Sequence, residues 1–173
     1  MAVAAFAVQI CRAPIQLFAD LISDSLVVLG NDQRHFGVVE PIDNGIHHLP
    51  GDEIPEAVAV LDSKQSDCNY PFKELSGCGV GFKLVQAYCQ RHEMPFSTIE
   101  PLLDLVAVSI ASDIVALTDE NRVLAHYGLK ILNSSPSEGL SSIIRICGLE
   151  EQTITIDDIV FKIGPRINAA GRM

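Results

Sequence analysis

The run AVAVL, residues 57–61, is short, apolar throughout and carries two valines. It is consistent with a strand buried on both faces, the kind that α/β proteins with covered sheets use. Upstream of it, Leu49-Pro50-Gly51 is a punctuated loop, and Pro41-Ile42-Asp43-Asn44-Gly45 ends an apolar stretch in a turn. Further back, IQLFADLISDSLVVLG (residues 15–30) suggests a helix leading to a short strand at 26–29. Asn31-Asp32 is a turn signal, and residues 36–39 form a second short apolar run.

Downstream the period changes. After a loop over 69–81, which holds Pro71 and three glycines, apolar positions at Val80, Leu84, Val85 and Tyr88 predict a helix over 80–91. Thr98 with Pro101 opens the next helix, and Ser97 or Thr98 is its expected N-cap. Residues 102–115 are apolar almost all the way round, so this helix should be central and buried. Residues 120–132 and 138–147 read as amphipathic helices. A last one over 156–161 is capped by Thr155, with Asp157 and Asp158 in its first turn, where the helix dipole favours acids. The chain closes on GPRINAAGRM, as a truncated domain would.

The 173 residues suit one domain able to bury a core, and 48% apolar against 20% charged residues excludes a disordered tail. Twelve Lys and Arg face 22 Asp and Glu, a net charge of −10. That argues against a general nucleic-acid coat or a binder of anionic membranes, while a local basic strip stays compatible with nucleic acid as substrate. The five cysteines form no CxxC pair, so we expect no structural zinc site but the reduced thiols of a cytoplasmic protein. Residues 1–10 are apolar without a basic flank, and Gln9, Arg12 and Asp20 interrupt the stretch, so neither a span nor a signal peptide is expected.

Three groups could carry chemistry. Asp104 and Asp113 interrupt the most apolar helix, where a carboxylate needs a partner, a cap or a metal. At roughly 100° per residue they cannot serve one site from a straight helix. Asp104 reads as a salt bridge or a cap to neighbouring backbone; Asp113 reads as a ligand or a helix-end hydrogen bond. His47-His48, just after Asp43, form either a surface pair in a loop or a site for Mn2+ or Mg2+. Arg166, Asn168 and Arg172 in GPRINAAGR suit either phosphate contacts or a tight helix junction with solvated arginines.

Three stretches act together: HHLPGDEIPEAVAVLDSKQSDCNYPFKELSGCGVGFKL, LLDLVAVSIASDIVALTDENRVL and FKIGPRINAAGRM. In order and distance they resemble the RecJ-type single-stranded-DNA exonucleases of the DHH phosphoesterase superfamily, over roughly residues 38–173. The resemblance implies a DHH-type parallel sheet in the first half and a mostly α-helical second half. It also implies a second domain, DHHA1, across a cleft that admits one DNA strand. The activity implied is metal-dependent 5′-to-3′ hydrolysis of single-stranded DNA in repair and recombination, with Mn2+ or Mg2+ as cofactor. By the family's motifs, Asp43, His47 and Asp113 become metal ligands, and Asp43 and His48 the catalytic pair, with His48 at the scissile phosphate. Arg166, Asn168 and Arg172 lie near the DNA, and Lys73 is structural. The domain reading is residues 1–37 unassigned, 38–163 a partial DHH domain, and 164–173 the start of a connection to DHHA1.

Three departures bear on activity. The family's early Asp-rich motif has no counterpart among Asp20, Asp24 and Asp32, and Ile46 stands where an Asp precedes the two His. Only Asn44, Gly45 and Ile46 separate Asp43 from His47, whereas two parallel strands need a crossover of about a dozen residues. One metal position therefore keeps three candidate ligands and the other keeps only Asp43. The expectation is at most one bound divalent ion and little or no nuclease activity for this chain alone. The alternatives are a phosphodiesterase of the same superfamily acting on short oligonucleotides or cyclic dinucleotides, and a non-catalytic remnant.

Overall fold

The computed structural model describes residues 27–32, 35–39, 46–50, 59–64 and 68–170, with backbone alone for the strands before Leu61. The helix expected within 15–25 lies outside them. Four strands form one sheet: β1 (Val27–Asp32), β2 (His35–Val39), β3 (Ile46–Pro50) and β4 (Ala59–Asp62), in the order β3-β2-β1-β4. The apolar runs at 26–29, 36–39 and 57–61 thus supply β1, β2 and β4. Residues 27–37 contribute β1 and the first part of β2.

Among the described residues, the parallel pairing expected from the resemblance is present at one junction. β1 and β4 run parallel, with Val28 opposite Val60, whereas β1–β2 and β2–β3 are antiparallel. The cause is connection length: residues 33–34 and 40–45 are too few for a crossover, so the chain turns back on itself. A second correction concerns His47 and His48, read as a loop pair. They lie in β3, opposite Val38 and Gly37. The neighbouring β2 offers a hydrogen-bonding edge that outweighs the local loop signal, and Pro50 is the last residue of this edge strand, a position that tolerates proline. The turn expected at Asn31-Asp32 appears as an irregularity of register between Gly30 and Asp32.

The remainder is helical. Helix α1 (Gly77–Arg91) begins three residues ahead of the expected start, because Ser76 caps it: the Gly79 N–H donates to Ser76 Oγ at 3.1 Å. It packs against β1. Two 3-10 turns, Phe96–Thr98 and Glu100–Leu102, then lead into α2 (Leu103–Ser112). Neither Ser97 nor Thr98 caps α2: these turns intervene, and the residue before the helix is Leu102. Helices α3 (Asp119–Ser134) and α4 (Glu138–Ile146) follow. Then come α5 (Ile156–Asp158), a π-helical turn (Ile159–Ile163) and α6 (Gly164–Ala170). Thr155 caps α5 as expected, in a reciprocal capping box with Asp158.

Helix α2 explains its own composition. Leu105, Val108 and Ala111 face a core shared with Leu132, Leu140, Ile159 and Ile163. Leu103, Val106 and Ile110 face a second core with Phe72, Phe82, Val85 and Leu124. A helix buried on both sides is apolar almost all round, and the polar residues inside it, Asp104 and Ser109, are buried with the rest. It meets α3 most closely at Gly128, whose missing Cβ would sit against the Leu103 carbonyl and 2.6 Å from Ala107 Cβ. Among the described residues, no helix is long and apolar enough to cross a membrane.

Candidate functional site

Asp113 is where the chain leaves α2. The expected helix over 102–115 stops at Ser112, and Asp113 is its exposed C-cap residue, not a group enclosed in the apolar helix. Its carboxylate is oriented from one turn back: Ser109 Oγ donates to Asp113 Oδ2 at 3.0 Å. Ile114, next in line, takes the left-handed conformation at φ 53° and is 79% exposed. A β-branched residue is strained there, and the strain turns the chain out of the helix. The backbone beyond is tied back by Ile114 N–H to Ala111 O and Val115 N–H to Ile110 O, each at 3.3 Å.

Cys78, in the first turn of α1, shares this corner. Burial pushes its thiol up to about 11; a hydrogen bond with Ser109 opposes the shift and the charge of Asp113 adds to it. The protonated thiol is not itself the ligand form of cysteine. Asp113 is a different case: an exposed carboxylate fixed by a hydroxyl is the donor that Mn2+ or Mg2+ takes. In the chemistry of its oxygen donors Asp113 suits such an ion. Among the described residues, however, no group of three His, Cys, Asp or Glu comes together around a cation position. For His47 and His48 the structure gives consecutive register positions in the edge strand β3. Asp43 and Arg172 lie outside the described residues.

Of the closing motif, Arg166 and Asn168 are on α6. Arg166 is exposed, and its Nη1 donates to Lys162 O at 2.8 Å; Asn168 is half-buried. Helix α6 packs against α2, and Gly164 touches Ser112, the residue before Asp113. The structure thus brings Asp113 and the start of the GPRINAAGR motif to one end of α2.

Asp104 has the structural role read from the sequence. It is 1% exposed and accepts two backbone hydrogen bonds, from Leu105 N–H at 2.6 Å and Ser137 N–H at 2.8 Å. Burial raises its pKa, and the hydrogen bonds from Ser137 and Leu105 oppose the rise.

A second polar cluster escaped the residue-by-residue reading. Tyr70 Oη donates to both oxygens of Glu120, at 2.8 and 2.9 Å, and Lys83 Nζ pairs with the same carboxylate at 2.5 Å. Burial and then the Glu120 acceptor and its charge push the Tyr70 phenol up to about 12. Burial acts to raise Glu120, but Lys83 and Tyr70 prevail and hold it below the usual carboxylate range. Beside it, fully buried Asn121 donates from Nδ2 to Glu74 O at 2.6 Å and to Ala116 O at 3.0 Å. The signal lay in two stretches quoted for another reason: PFKEL and TDENR are distant in sequence, and these bonds join them.

No protein-family model matches the chain. Curated relatives do. The chain is 41% identical over 127 residues to the single-stranded-DNA-specific exonuclease RecJ of Bacillus subtilis, covering 73% of this chain and 15% of that protein. It is 34% identical over 137 residues to the RecJ of Escherichia coli, covering 73% and 24%. Among solved structures, exonuclease RecJ bound to manganese superposes with a TM-score of 0.58 at 32% identity, over 73% of this chain and 31% of that one. RecJ from Thermus thermophilus in complex with Mg2+ gives 0.56 at 31%, over 65% and 17%. The chain spans less than a third of each of these relatives. Sequence and backbone select the same relatives, and over the portion shared with them the chain belongs to the RecJ family of single-stranded-DNA-specific exonucleases.

Proposed function

We propose that the chain carries part of the catalytic centre of a metal-dependent 5′-to-3′ exonuclease that degrades single-stranded DNA in cytoplasmic repair and recombination. The observation that carries the reading is Asp113. It stands in the SDIVALTDENR stretch on which the resemblance to RecJ rests, exposed at a helix end and held by Ser109. Asp43, His47 and Asp113 would hold one Mn2+ or Mg2+, which when bound would polarise a phosphoryl oxygen. His48 is assigned to the scissile phosphate, with Asp43 as its catalytic companion. Arg166, Asn168 and Arg172 are assigned to the DNA strand, as guanidinium and amide groups suit phosphate oxygens. The domain reading places the partial DHH unit at 38–163 and the connection to DHHA1 at 164–173, with 1–37 unassigned. The DHH-type parallel sheet of the whole enzyme belongs to the same reading, with the β1–β4 pair as its support here.

A two-metal hydrolysis needs two ions roughly 3.5–4 Å apart, and this chain offers ligands for one. Isothermal titration with MnCl2 is expected to show at most one site, lost in Asp113→Asn, with little or no release of nucleotides from single-stranded DNA. Two tight sites, or robust exonuclease turnover by the purified chain, would overturn the incomplete-centre reading.

A further inference from the structure

The junction between α2 and α6 is tighter than helix packing alone requires. A Cβ on Gly164 would lie 2.7 Å from Ser112 Oγ, 3.3 Å from Ser112 Cβ and 3.2 Å from Ile159 O. The Ser112 hydroxyl is buried there and has no hydrogen-bond partner among the described residues, a cost the close approach imposes. The π-helical turn ahead of Gly164 sets the same geometry. Gly164 N–H reaches back five residues to Ile159 O, and Pro165, which follows, has no N–H to continue an ordinary helical ladder. Asp113 follows Ser112 directly, and Arg166 stands two residues beyond Gly164.

We infer that Gly164 is a positioning residue: its missing side chain lets α6 rest on Ser112 and so fixes Arg166 and Asn168 relative to the Asp113 turn. The inference rests on the reading of α6 as the DNA-facing helix. A methyl group at 164 meets obstacles on two sides. The Ser112 hydroxyl can rotate away, but the Ser112 Cβ and the Ile159 carbonyl cannot, so the backbone at the junction has to give by a few tenths of an ångström, and Arg166 shifts with it.

The test is fluorescence anisotropy of a labelled oligothymidylate titrated with the full chain at several salt concentrations, below the melting temperature of each variant. A lost phosphate contact lowers the slope of log affinity against log salt by about 0.7 for a single strand. Arg166→Ala is expected to show that drop. Gly164→Ala is expected to show the same drop while fully folded, with affinity about threefold or more weaker. Ser112→Gly added to Gly164→Ala removes the Ser112 side of the crowding, with the 3.2 Å approach to the Ile159 carbonyl left in place, and is expected to recover part of both affinity and slope. A merely structural glycine would lower the melting temperature and leave the slope unchanged, and that result overturns the inference, as does failure of the double variant to recover. Should Gly164→Ala not fold, Ser112→Thr crowds the junction from the α2 side and is read by the same slope. If the wild-type chain shows no binding, the DNA reading of α6 fails and the inference falls with it; if it binds and Gly164→Ala binds equally, only the inference falls.

Discussion

The carboxylate of Asp104, near the start of α2, accepts the backbone N–H of Ser137 at 2.8 Å, and so ties the central helix to the head of α4 across 33 residues of sequence. Asp104→Ala would leave that half-buried N–H without its acceptor, at a cost of about 1–2 kcal/mol, read by urea unfolding. The pH dependence has a definite sign. Burial raises the native pKa of Asp104 above its unfolded value, so the native state holds the proton more readily. Its contribution to stability is full below the unfolded value of about 3.9 and is lost as pH rises through the raised native value. Asp104→Asn removes this slope. Wild type should gain on the Asn variant as pH falls from about 7 to about 4. Glu120 and Asp158, held below their ordinary values, act in the opposite direction in both proteins and cancel in the difference.

Gly128 is the point where α3 lies directly on α2. An added Cβ would meet the Leu103 carbonyl and Ala107 Cβ, backbone and a rigid methyl with no flexible chain end to move aside. Gly128→Ala should therefore destabilise the chain by about 3 kcal/mol, despite alanine's better helix propensity. A thermal melt at or above the wild-type temperature would show that the two helices can separate at little cost.

The helical half was legible because its signals are local. The near all-round apolarity of 102–115 announces a central, buried helix, which ends three residues early at Ser112, and Thr155 ahead of Asp157 and Asp158 announces a helix cap. The sheet was legible as short apolar runs, but not in its pairing. Direction depended on the lengths of 33–34 and 40–45, and His47-His48 became a strand only because β2 lay alongside. At the candidate site, Asp113 could be picked out as a carboxylate in an oily helix. Its exposure could not, because it depends on the left-handed turn at Ile114, a residue type that gives no turn signal. The Tyr70–Glu120–Lys83 cluster stayed hidden because each member looks like an ordinary solvated residue until 50 residues of chain bring Tyr70 and Glu120 together.

That turn is itself testable. Ile114 has φ 53° and its side chain is 79% exposed, so little apolar burial depends on it. The left-handed conformation costs a non-glycine residue roughly 1–2 kcal/mol, and glycine returns part of that gain through its freer unfolded state. Ile114→Gly should stabilise the chain by about 0.5–1 kcal/mol in urea unfolding. A loss of stability would mean that the isoleucine side chain contributes packing which its exposure does not suggest.

Tyr70 and Lys83 converge on one carboxylate, so their contributions should not add. Tyr70→Phe removes the donor to both Glu120 oxygens. A hydrogen bond to a charged group is worth about 1.5–3 kcal/mol when buried; here solvent screening at a partly exposed site reduces the expected loss to about 1 kcal/mol. In the Lys83→Met background the same change should cost a different amount, since each partner alters the charge and position of Glu120 for the other. The sign at alkaline pH follows from the phenol's native pKa of about 12. The native state keeps the proton longer than the unfolded chain does, so the stabilisation is full below about 10 and is lost as pH rises through about 12. Wild type should therefore lose its advantage over Tyr70→Phe across that window, and the highest phenolate absorbance step should disappear in the variant. An unchanged absorbance titration would show that Tyr70 ionises like an ordinary exposed tyrosine and that its bond to Glu120 does not persist in solution.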